Sequence, residues 1–444
     1  MIRSILSAGL LLVVSAPAAA QQASDATRLH EQVDRGAAAV MDSVVKWRRD
    51  FHAHPELGNR ETRTAGIVAA ELRRLGIEVR EHVGHTGVVG VLRGGRPGGV
   101  VALRADMDAL PVTEEPGFPF ASRVRTTYNG QDVGVMHACG HDMHTAMLLG
   151  AAGVLAGMRR DLPGSVVFIF QPAEEGAPAG EEGGAPLMLR EGAFENPVPQ
   201  AVFGLHVFSR IPTGRIDVRP GPEMASSDQL RIVVHGRQTH GALPWRGVDP
   251  IVVAAQVILG LQTITSRQTD ATLAPAVVTI GVIQGGVRFN IIPDSVILVG
   301  TVRAFDEPMR RDIHERIRRT AAGIAQSAGA TADVTIELGN GVTTNDSALV
   351  RRMWPSLARL NGEPGIALAQ LTTTAEDFSA FANRAPGMFI FLGVTPPGSA
   401  NDTVAANHSP RFYADERAMP VGVRALASLA VDYLIGEPRP SGMR

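Results

Sequence analysis

Short, continuous apolar runs alternate along the chain with longer stretches whose apolar residues have helical spacing or helical length. Runs without polar alternation are typical of strands that are buried on both faces of a sheet. The order of these segments predicts an α/β domain, in which a mostly parallel sheet is covered by helices on both faces. The predicted strands of this domain are 99–103, 165–170, 201–205 and 387–392, and its predicted helices are 61–75 and 142–158.

The middle of the chain shows a different order of elements. Strand, helix, strand, strand, helix and strand follow one another, which is the order of a ferredoxin-like α+β unit. We therefore predict that residues 216–338 form a smaller domain, inserted into a larger one formed by residues 21–215 and 339–444. The elements predicted for the inserted domain are strands 230–234, 276–283, 296–302 and 332–337 and helices 250–264 and 307–325.

Length and charge agree with two domains and exclude some partners. A chain of 444 residues is longer than one ordinary hydrophobic core requires. The formal net charge is only −2, so we expect no binding to nucleic acid or to an anionic membrane surface. Beyond residue 20, no segment looks long and apolar enough to cross a membrane, and we expect no stable membrane insertion.

Residues 1–20 have the features of a secretory signal peptide. Arg3 gives a positive start, residues 5–14 are apolar, and Ala18-Ala19-Ala20 offers small residues for cleavage before Gln21. The apolar stretch is short for a bilayer span, and a membrane anchor is the alternative. We therefore expect a secreted or periplasmic protein.

Cys139 is the only cysteine of the chain, so no disulfide can form within it. Exported proteins usually reach an oxidising compartment, where a free thiol is a liability. A metal ion would protect the sulfur, because the thiolate is then coordinated. His141 lies two positions further along, a spacing that suits zinc or a similar divalent ion. The alternative is a buried structural cysteine beside capping or solvated histidines.

Two carboxylates, Glu174 and Glu175, closely follow the predicted strand 165–170. Adjacent side chains that leave an extended segment point in opposite directions. One carboxylate could then bind a metal ion while the other accepts a proton from water. The ordinary alternative for a Glu pair is a solvated loop.

Two histidines complete the set of candidate ligands. His206 ends the predicted strand 201–205, where a buried core histidine is the alternative, and His408 lies in a segment that otherwise suits a surface loop. The positions of these residues together favour a metal site over the structural alternatives, because ligands bind open α/β sheets at the carboxyl ends of the strands. The residues predicted at that edge are Asp106, Asp108, Cys139, His141, Glu174, Glu175 and His206.

At these residues the sequence resembles the dinuclear metallopeptidase and aminoacylase family, which includes carboxypeptidases, dipeptidases and deacylases. The branch that it is most similar to is that of hippurate hydrolase and indole-acetyl-amino-acid hydrolase. The resemblance extends from about Trp47 to Leu434. The matching stretches are residues 48–57 (RRDFHAHPEL), 103–111 (LRADMDALP), 136–144 (MHACGHDMH), 170–176 (FQPAEEG), 204–207 (GLHV), 289–295 (FNIIPDS), 300–303 (GTVR), 375–378 (AEDF) and 407–408 (NH).

The resemblance implies a zinc-peptidase-like catalytic domain, an inserted lid and dimerisation domain, and a role for each matching residue. Glu174 matches the general acid/base, His240 a lid histidine that reaches the active site of a partner subunit, and Asn290 a lid residue near the substrate. Asp106 stands where many members place a metal-binding histidine, which leaves the second metal position open. The residues matching the metal ligands are Cys139, His141, Glu175, His206 and His408.

The expected activity is therefore hydrolysis of the amide bond of N-acyl amino acids or short peptides by a homodimer. One or two divalent ions (zinc, manganese, cobalt or nickel) would serve as cofactor, with Glu174 as general base. Arg303 either pairs with a substrate carboxylate or is a solvated residue at a strand end. The alternatives are an exported dipeptidase or carboxypeptidase of the same family and, as a different class, a non-catalytic metal- or peptide-binding protein.

Overall fold

The computed structural model describes residues 16–436 except 116, 363–364 and 400–402, and it describes side chains from residue 25 onward. The strands are β1 (Glu78–Arg80), β2 (Val88–Arg93), β3 (Arg96–Asp106), β4 (Arg125–Tyr128), β5 (Gln131–Gly134), β6 (Pro163–Gln171), β7 (Ala201–Pro212), β8 (Ile216–Val218), β9 (Gly221–Met224), β10 (Asp228–His235), β11 (Thr239–His240), β12 (Ala276–Gln284), β13 (Ile291–Ile292), β14 (Ser295–Ala304), β15 (Thr331–Leu338), β16 (Thr343–Asn345), β17 (Ile366–Leu368) and β18 (Gly387–Thr395). The helices are α1 (Ala16–Ala53), α2 (Thr62–Arg74), α3 (His141–Gly157), α4 (Gly184–Arg190), α5 (Pro250–Thr263), α6 (Glu307–Ser327), α7 (Ser347–Asn361), α8 (Phe378–Ala382) and α9 (Met419–Ile435).

The larger sheet has eight strands in the order β1-β2-β6-β3-β7-β18-β8-β17. Its centre is parallel, because β3 pairs in parallel with both β6 and β7, and β7 pairs in parallel with β18. Antiparallel pairings lie nearer the two edges, where β2 meets β1 and β6 and where β18 meets β8. The predicted α/β class is confirmed.

Helices cover both faces of this sheet. Val101 and Leu103 of β3 belong to the core shared with α1, α3 and α9, whereas Ala102 belongs to the core that α4 and α8 cover on the other face. This alternation follows the two-residue period of a strand. Because both faces are buried, the strands are continuous apolar runs, and this is the pattern that makes them recognisable in the sequence.

The inserted segment forms a four-stranded antiparallel sheet in the order β12-β14-β10-β15. Helices α5 and α6 pack together against it, and their buried residues form a separate core with those of the strands. The predicted β-α-β-β-α-β order is therefore confirmed. Outer strands β12 and β15 each have one side without a partner strand in the described part of the chain.

The structure differs from the predicted start of the inserted segment at residue 216. Ile216–Val218 pairs with β17 and β18 of the eight-stranded sheet, and Gly221–Met224 pairs with β16. The separate core of the inserted segment begins only at Ala225. These short strands have too few residues for a periodic pattern, so the sequence did not reveal which sheet they join.

The predicted signal peptide falls partly on α1. Residues 1–15 lie outside the described residues, and α1 begins at Ala16 and continues through the predicted cleavage position at Gln21. Among the residues whose side chains the structure describes, Leu29 and Val33 are the first core residues of this helix.

Two helical stretches are long and apolar enough to cross a membrane by length and composition, namely Pro250–Gln268 and Glu416–Ile435. The sequence-based statement that no such segment follows residue 20 is therefore wrong. The first stretch packs on the four-stranded sheet beside α6, and the second packs against α1, α3 and α7. Buried apolar residues of both stretches belong to the two protein cores, whereas Ile251, Val252 and Leu259 of the first stretch are exposed.

Candidate metal centre and active site

Cys139 and His141 lie on either side of the turn that starts α3, and His206 reaches the same point from β7. The Sγ atom of Cys139 is 3.4 Å from Nε2 of His206, and one donor atom from each of the three residues lies within 4.8 Å of the others. Gly140 between them has a φ of 90°, and a Cβ atom there would lie 2.2 Å from the side chain of Val207. Only glycine permits both that backbone conformation and that approach.

Glu174 and Glu175 lie in a turn after β6, and not on an extended segment. Ala173 has a φ of 52°, a left-handed conformation that turns the chain directly before the pair. Oε2 of Glu174 and Oε1 of Glu175 are 4.0 and 3.9 Å from Nε2 of His141. The prediction that the two carboxylates point in opposite directions is therefore wrong, because the turn directs both toward the same imidazole.

His408 is brought to the cluster from the loop before α9. Its amide N–H donates to the carbonyl of Ala138 at 2.7 Å, and its φ of 71° is left-handed. Nε2 lies 3.0 Å from Oε1 of Glu175, although the contact lacks hydrogen-bond geometry. One donor atom each from His408, Glu175 and Cys139 lies within 4.8 Å of the others. More than half of the His408 side chain is exposed, so this imidazole forms the open side of the cluster.

Two of the imidazoles direct Nε2 toward the cluster, because Nδ1 of each faces an acceptor elsewhere. Nδ1 of His206 lies 2.7 Å from the carbonyl oxygen of Val207, an atom that can only accept. Nδ1 of His141 lies 3.3 Å from Oδ1 of Asp108, whose other oxygen accepts from the backbone N–H of Glu175. A histidine that donates from Nδ1 in this way can bind a metal ion through Nε2. Burial lowers the pKa of His141, but the carboxylates of Asp106 and Asp108 outweigh this and raise it well above its usual value, so a metal ion would have to displace the Nε2 proton.

Asp106 and His144 lie close to His141, but their polar atoms form hydrogen bonds with other groups. Oδ1 of Asp106 is 2.5 Å from Nδ1 of His144, and Oδ2 accepts from Arg104 at 2.7 Å. Nε2 of His144 accepts from the backbone N–H of Val207 at 2.7 Å. Since both imidazole nitrogens are engaged, we interpret His144 and Asp106 as supports of the neighbouring segments.

The donor set fits a divalent cation. Nε2 of His141 and Oε1 of Glu175 are buried and without a hydrogen-bond partner, and such atoms are costly unless a ligand satisfies them. Burial, together with the carboxylate of Glu175, raises the pKa of the Cys139 thiol, and a metal ion would displace its proton. Burial, together with His144, holds the pKa of His206 well below its usual value, so that imidazole is neutral. Thiolate, imidazole and carboxylate are ligands typical of zinc and similar ions.

Beneath Glu174 lies a buried charge network centred on Arg104. Its guanidinium group donates to Asp106, Glu376 and Asp377 at 2.7, 2.8 and 3.0 Å. Burial, followed by the carboxylates of Glu376 and Glu175, raises the pKa of Glu174 well above its usual range. A carboxylate in such surroundings has an increased affinity for a proton, which suits a general base.

The inserted domain contributes no residue to the clusters of possible metal ligands found among the described residues. His240 is exposed, and its Nδ1 accepts from the backbone N–H of Ala242. The carbonyl of Asn290 accepts from the N–H of Gly241 at 2.8 Å. His240 and Asn290 therefore line one open depression of about 530 Å³, together with Gln238, Thr239, Arg288 and Ile291.

Arg303 lies on β14 and is half-buried. Its Nη1 donates to the hydroxyl of Thr301 at 2.8 Å, and burial lowers its pKa. Within the part of the chain that the structure describes, it forms no ion pair with a carboxylate. The guanidinium group thus keeps donors for a further partner.

Several residues that support the cluster were not among the predicted metal ligands or catalytic residues. Asp108 stands at a recognised strand end, and Glu376 and Asp377 are part of the AEDF motif, so position and motif gave a signal for these three. Arg104 and Asn407 also lie in matching stretches, 103–111 and 407–408, but their contacts depend on segments that are distant in sequence, so the stretches did not reveal what these two residues touch.

The sequence model of peptidase family M20/M25/M40 matches residues 102–432, a range that contains Cys139 and His408. The chain belongs to this family. It is 39% identical over 407 residues to thermostable carboxypeptidase 2 of Saccharolobus solfataricus, covering 91% of this chain and 99% of the relative. It is also 39% identical over 402 residues to the IAA-amino acid hydrolase ILR1-like 2 of Arabidopsis thaliana, covering 89% and 86%.

Among solved structures, the fold is similar to that of the Bacillus subtilis YXEP protein, a dinuclear metal binding peptidase from the M20 family. The TM-score is 0.74 at 36% sequence identity, over 89% of this chain and 99% of that one. The resemblance that the sequence motifs indicated is thereby confirmed. The chain is a hydrolase of the M20 family, as predicted.

Proposed function

We propose that the chain is a metal-dependent amidohydrolase that cleaves the amide bond of N-acyl amino acids or short peptides. The observation that carries this proposal is the convergence of thiol, imidazole and carboxylate donors around a neighbouring carboxylate, Glu174. That extra group argues against a protein that only binds metal, because binding requires no spare base. The proposed ligands are Cys139, His141, Glu175, His206 and His408.

The proposed mechanism assigns proton transfer to Glu174. Its carboxylate takes the proton from the attacking water and then delivers it to the leaving amine. Asp108 holds the ring of His141 in place, and the network around Arg104 keeps Glu174 in low-dielectric surroundings. A divalent ion, when bound, supplies a Lewis acid at the scissile carbonyl. The products are a carboxylic acid and an amino acid or shorter peptide.

The decisive experiment compares substrate classes after controlled metal loading. Protein lacking residues 1–20 is treated with a chelator and reloaded separately with zinc, manganese, cobalt or nickel. Release of free amino acid is then measured from N-acetyl and N-benzoyl amino acids, from free dipeptides and from N-blocked peptides. We expect metal-dependent turnover that is fastest with N-acylated amino acids. Preference for peptides would identify a dipeptidase or carboxypeptidase, and metal binding without turnover of any amide would exclude an enzyme.

We further propose a homodimer formed through the inserted domain. Outer strand β12 exposes Val282 and Ile283, and neighbouring helix α5 exposes Ile251 and Leu259. An apolar strand edge of this kind is a template for pairing with a second strand. The opposite edge strand, β15, carries acidic residues among its side chains and is less suited to self-association. A two-fold axis through β12 would join two such sheets edge to edge.

In this dimer His240 would complete the site of the partner subunit and donate to the developing oxyanion. Its exposure and its place on the inserted domain, away from the ligand clusters of its own chain, support this role. Asn290 lines the same depression and would contact substrate beside it. Arg303 would pair with the substrate carboxylate.

We also propose that the protein is exported. Arg3, the apolar residues 5–14 and the small residues before Gln21 support cleavage near residue 21 and a secreted or periplasmic protein. Removal of residues 1–20 would leave the packed part of α1, from Leu29 onward, unchanged. Amino-terminal sequencing of the protein from the extracytoplasmic fraction should find Gln21 or a close neighbour, whereas an intact Met1 in the cytoplasmic fraction would contradict export.

A further inference from the structure

The side-chain amide of Asn407 connects three segments of the chain that carry proposed metal ligands. Its Nδ2 donates to the carbonyl oxygens of Cys139 and Val207, both at 3.2 Å. Its Oδ1 accepts from the backbone N–H of Ser209 at 3.1 Å. Asn407 itself directly precedes His408. One amide therefore joins the segment of Cys139, the strand of His206 and the loop of His408.

The partners fix the orientation of this amide. Two carbonyl oxygens can only accept hydrogen bonds, so they must face the NH₂ group, and the N–H of Ser209 must face the amide oxygen. Nδ2 also lies 3.8 Å from Sγ of Cys139. Its N–H groups thus place positive partial charge beside the sulfur that would become a thiolate.

The carbonyl of Val207 is a shared acceptor in this arrangement. It accepts from Nδ1 of His206 at 2.7 Å and from Nδ2 of Asn407 at 3.2 Å. The same acceptor therefore fixes the ring orientation of His206 and the position of the loop that carries His408. A substitution of Asn407 would therefore alter the positions of His206, Cys139 and His408 together.

We propose that Asn407 is a positioning residue for the metal centre, which sets the mutual geometry of Cys139, His206 and His408. It does not bind the metal itself. This role rests on the proposed metal-dependent hydrolysis. Asn407 would help to determine how tightly the site binds metal, because it fixes the segment that carries Cys139. Partners of metal ligands commonly contribute about 10- to 100-fold to metal affinity.

The test is Asn407→Ser in the full mature chain, with Asn383→Ser as matched control. Serine removes the double donation to the two carbonyls, whereas Asn383 is exposed and lies just after α8. Asn407→Leu is the second variant, since leucine keeps the branched skeleton of the side chain, although with larger end groups, and removes every side-chain hydrogen bond. Zinc affinity is measured by competition with a chelator, and the cobalt-loaded forms are compared in the near-ultraviolet, where cobalt–thiolate charge transfer absorbs.

We expect both Asn407 variants to bind zinc about 10- to 100-fold more weakly than the unmodified protein. Their cobalt–thiolate absorption band should be displaced or weakened. Excess metal should restore much of their turnover, and the control should match the unmodified protein in every measurement. Unchanged zinc affinity with an unchanged cobalt band would overturn the role. A lower melting temperature of the metal-free protein, with no change in zinc affinity or in the cobalt band, would overturn the role as well. If the unmodified protein binds metal but hydrolyses no amide, the proposed function fails, while the positioning role is still decided by the binding data.

Discussion

Nε2 of His408 lies 3.0 Å from Oε1 of Glu175, so the loop before the last helix meets the turn after β6 at the centre of the site. Neither side chain is held by its own secondary-structure element. His408 itself has a left-handed backbone conformation, and Glu175 follows two positions after the left-handed residue Ala173. Two turns therefore bring these ligands together, and His408 lies on the open side of the site.

Glu174→Gln should retain metal and lose activity. Glutamine preserves the shape of the side chain but accepts no proton, and general base catalysis contributes roughly 10²- to 10⁴-fold to the rate. Metal content by elemental analysis and kcat are measured on the same preparation. The control is Glu315→Gln on α6, where the side chain is exposed. A metal-replete Glu174→Gln enzyme with nearly normal kcat would show that another group is the base.

Cys139→Ser should lower metal content and activity together, because serine is a much weaker ligand than a thiolate. The unmodified protein offers an independent measurement, since Cys139 is its only thiol. Iodoacetamide should modify the chelator-treated protein faster than the metal-loaded protein, and intact-mass spectrometry records this difference. Equal modification rates with and without metal would remove the thiol from the proposed ligand set.

The sequence predicted those parts of the fold and site that depend on local pattern. Continuous apolar runs identified the central strands, and the residues just after them identified most of the candidate ligands. The turn at Ala173 was missed because alanine has no preference for a positive φ, and only the surrounding structure imposes it. The contacts of Arg104 and Asn407 were missed because they join segments far apart in sequence. The placement of Ile216–Val218 was missed because three residues carry no period.

A shared active site can be detected by complementation. Glu174→Gln and His240→Ala are purified separately, mixed under conditions that exchange subunits, and assayed with an N-acyl amino acid. Each heterodimer would contain one site with both defects and one with neither, so it should regain up to about half the activity of an unmodified dimer. No recovery after exchange is verified by mass, or a fully active monomer, would exclude a contribution of His240 across the interface.

Ile283→Asp on β12 should convert the dimer into monomers. A charge on an apolar edge opposes its burial and its pairing with a second strand. Leu338→Asp on β15 is the matched control, since Leu338 is similarly exposed, at 71% against 63% for Ile283, but lies on the other edge of the sheet. Sedimentation velocity measures the mass of both variants. Dissociation by the control and not by Ile283→Asp would place the interface on β15.

Asp228 should make the inserted domain sensitive to acid. Burial raises the pKa of its carboxyl group, but hydrogen bonds from His314 and Arg310 outweigh this and lower the pKa to about 2. Because the folded value lies below the unfolded value of about 3.9, the resulting stability is present above about pH 4 and is lost as the pH falls toward 2. Asp228→Asn should therefore lower the unfolding free energy at pH 7 by on the order of 1–2 kcal/mol.

The measurement is urea unfolding of the metal-free protein at pH 7, 4 and 2.5, followed by circular dichroism. The difference between Asp228→Asn and the unmodified protein should shrink as the pH falls. Asp312→Asn, which removes a half-exposed ion pair on α6, should show little difference at any of these pH values. A difference for Asp228→Asn that stays constant with pH would mean that packing, and not charge, is the cause.

The distribution of the donors along the chain has a consequence for synthesis. Cys139, His141, Glu175 and His206 leave the ribosome before the inserted domain, and His408 leaves only after it. During translation of the inserted domain, the nascent chain therefore carries an incomplete set of ligands, with its sulfur not yet enclosed by the loop of His408. Any truncation before residue 408 leaves the chain permanently without this ligand and without the loop that carries it.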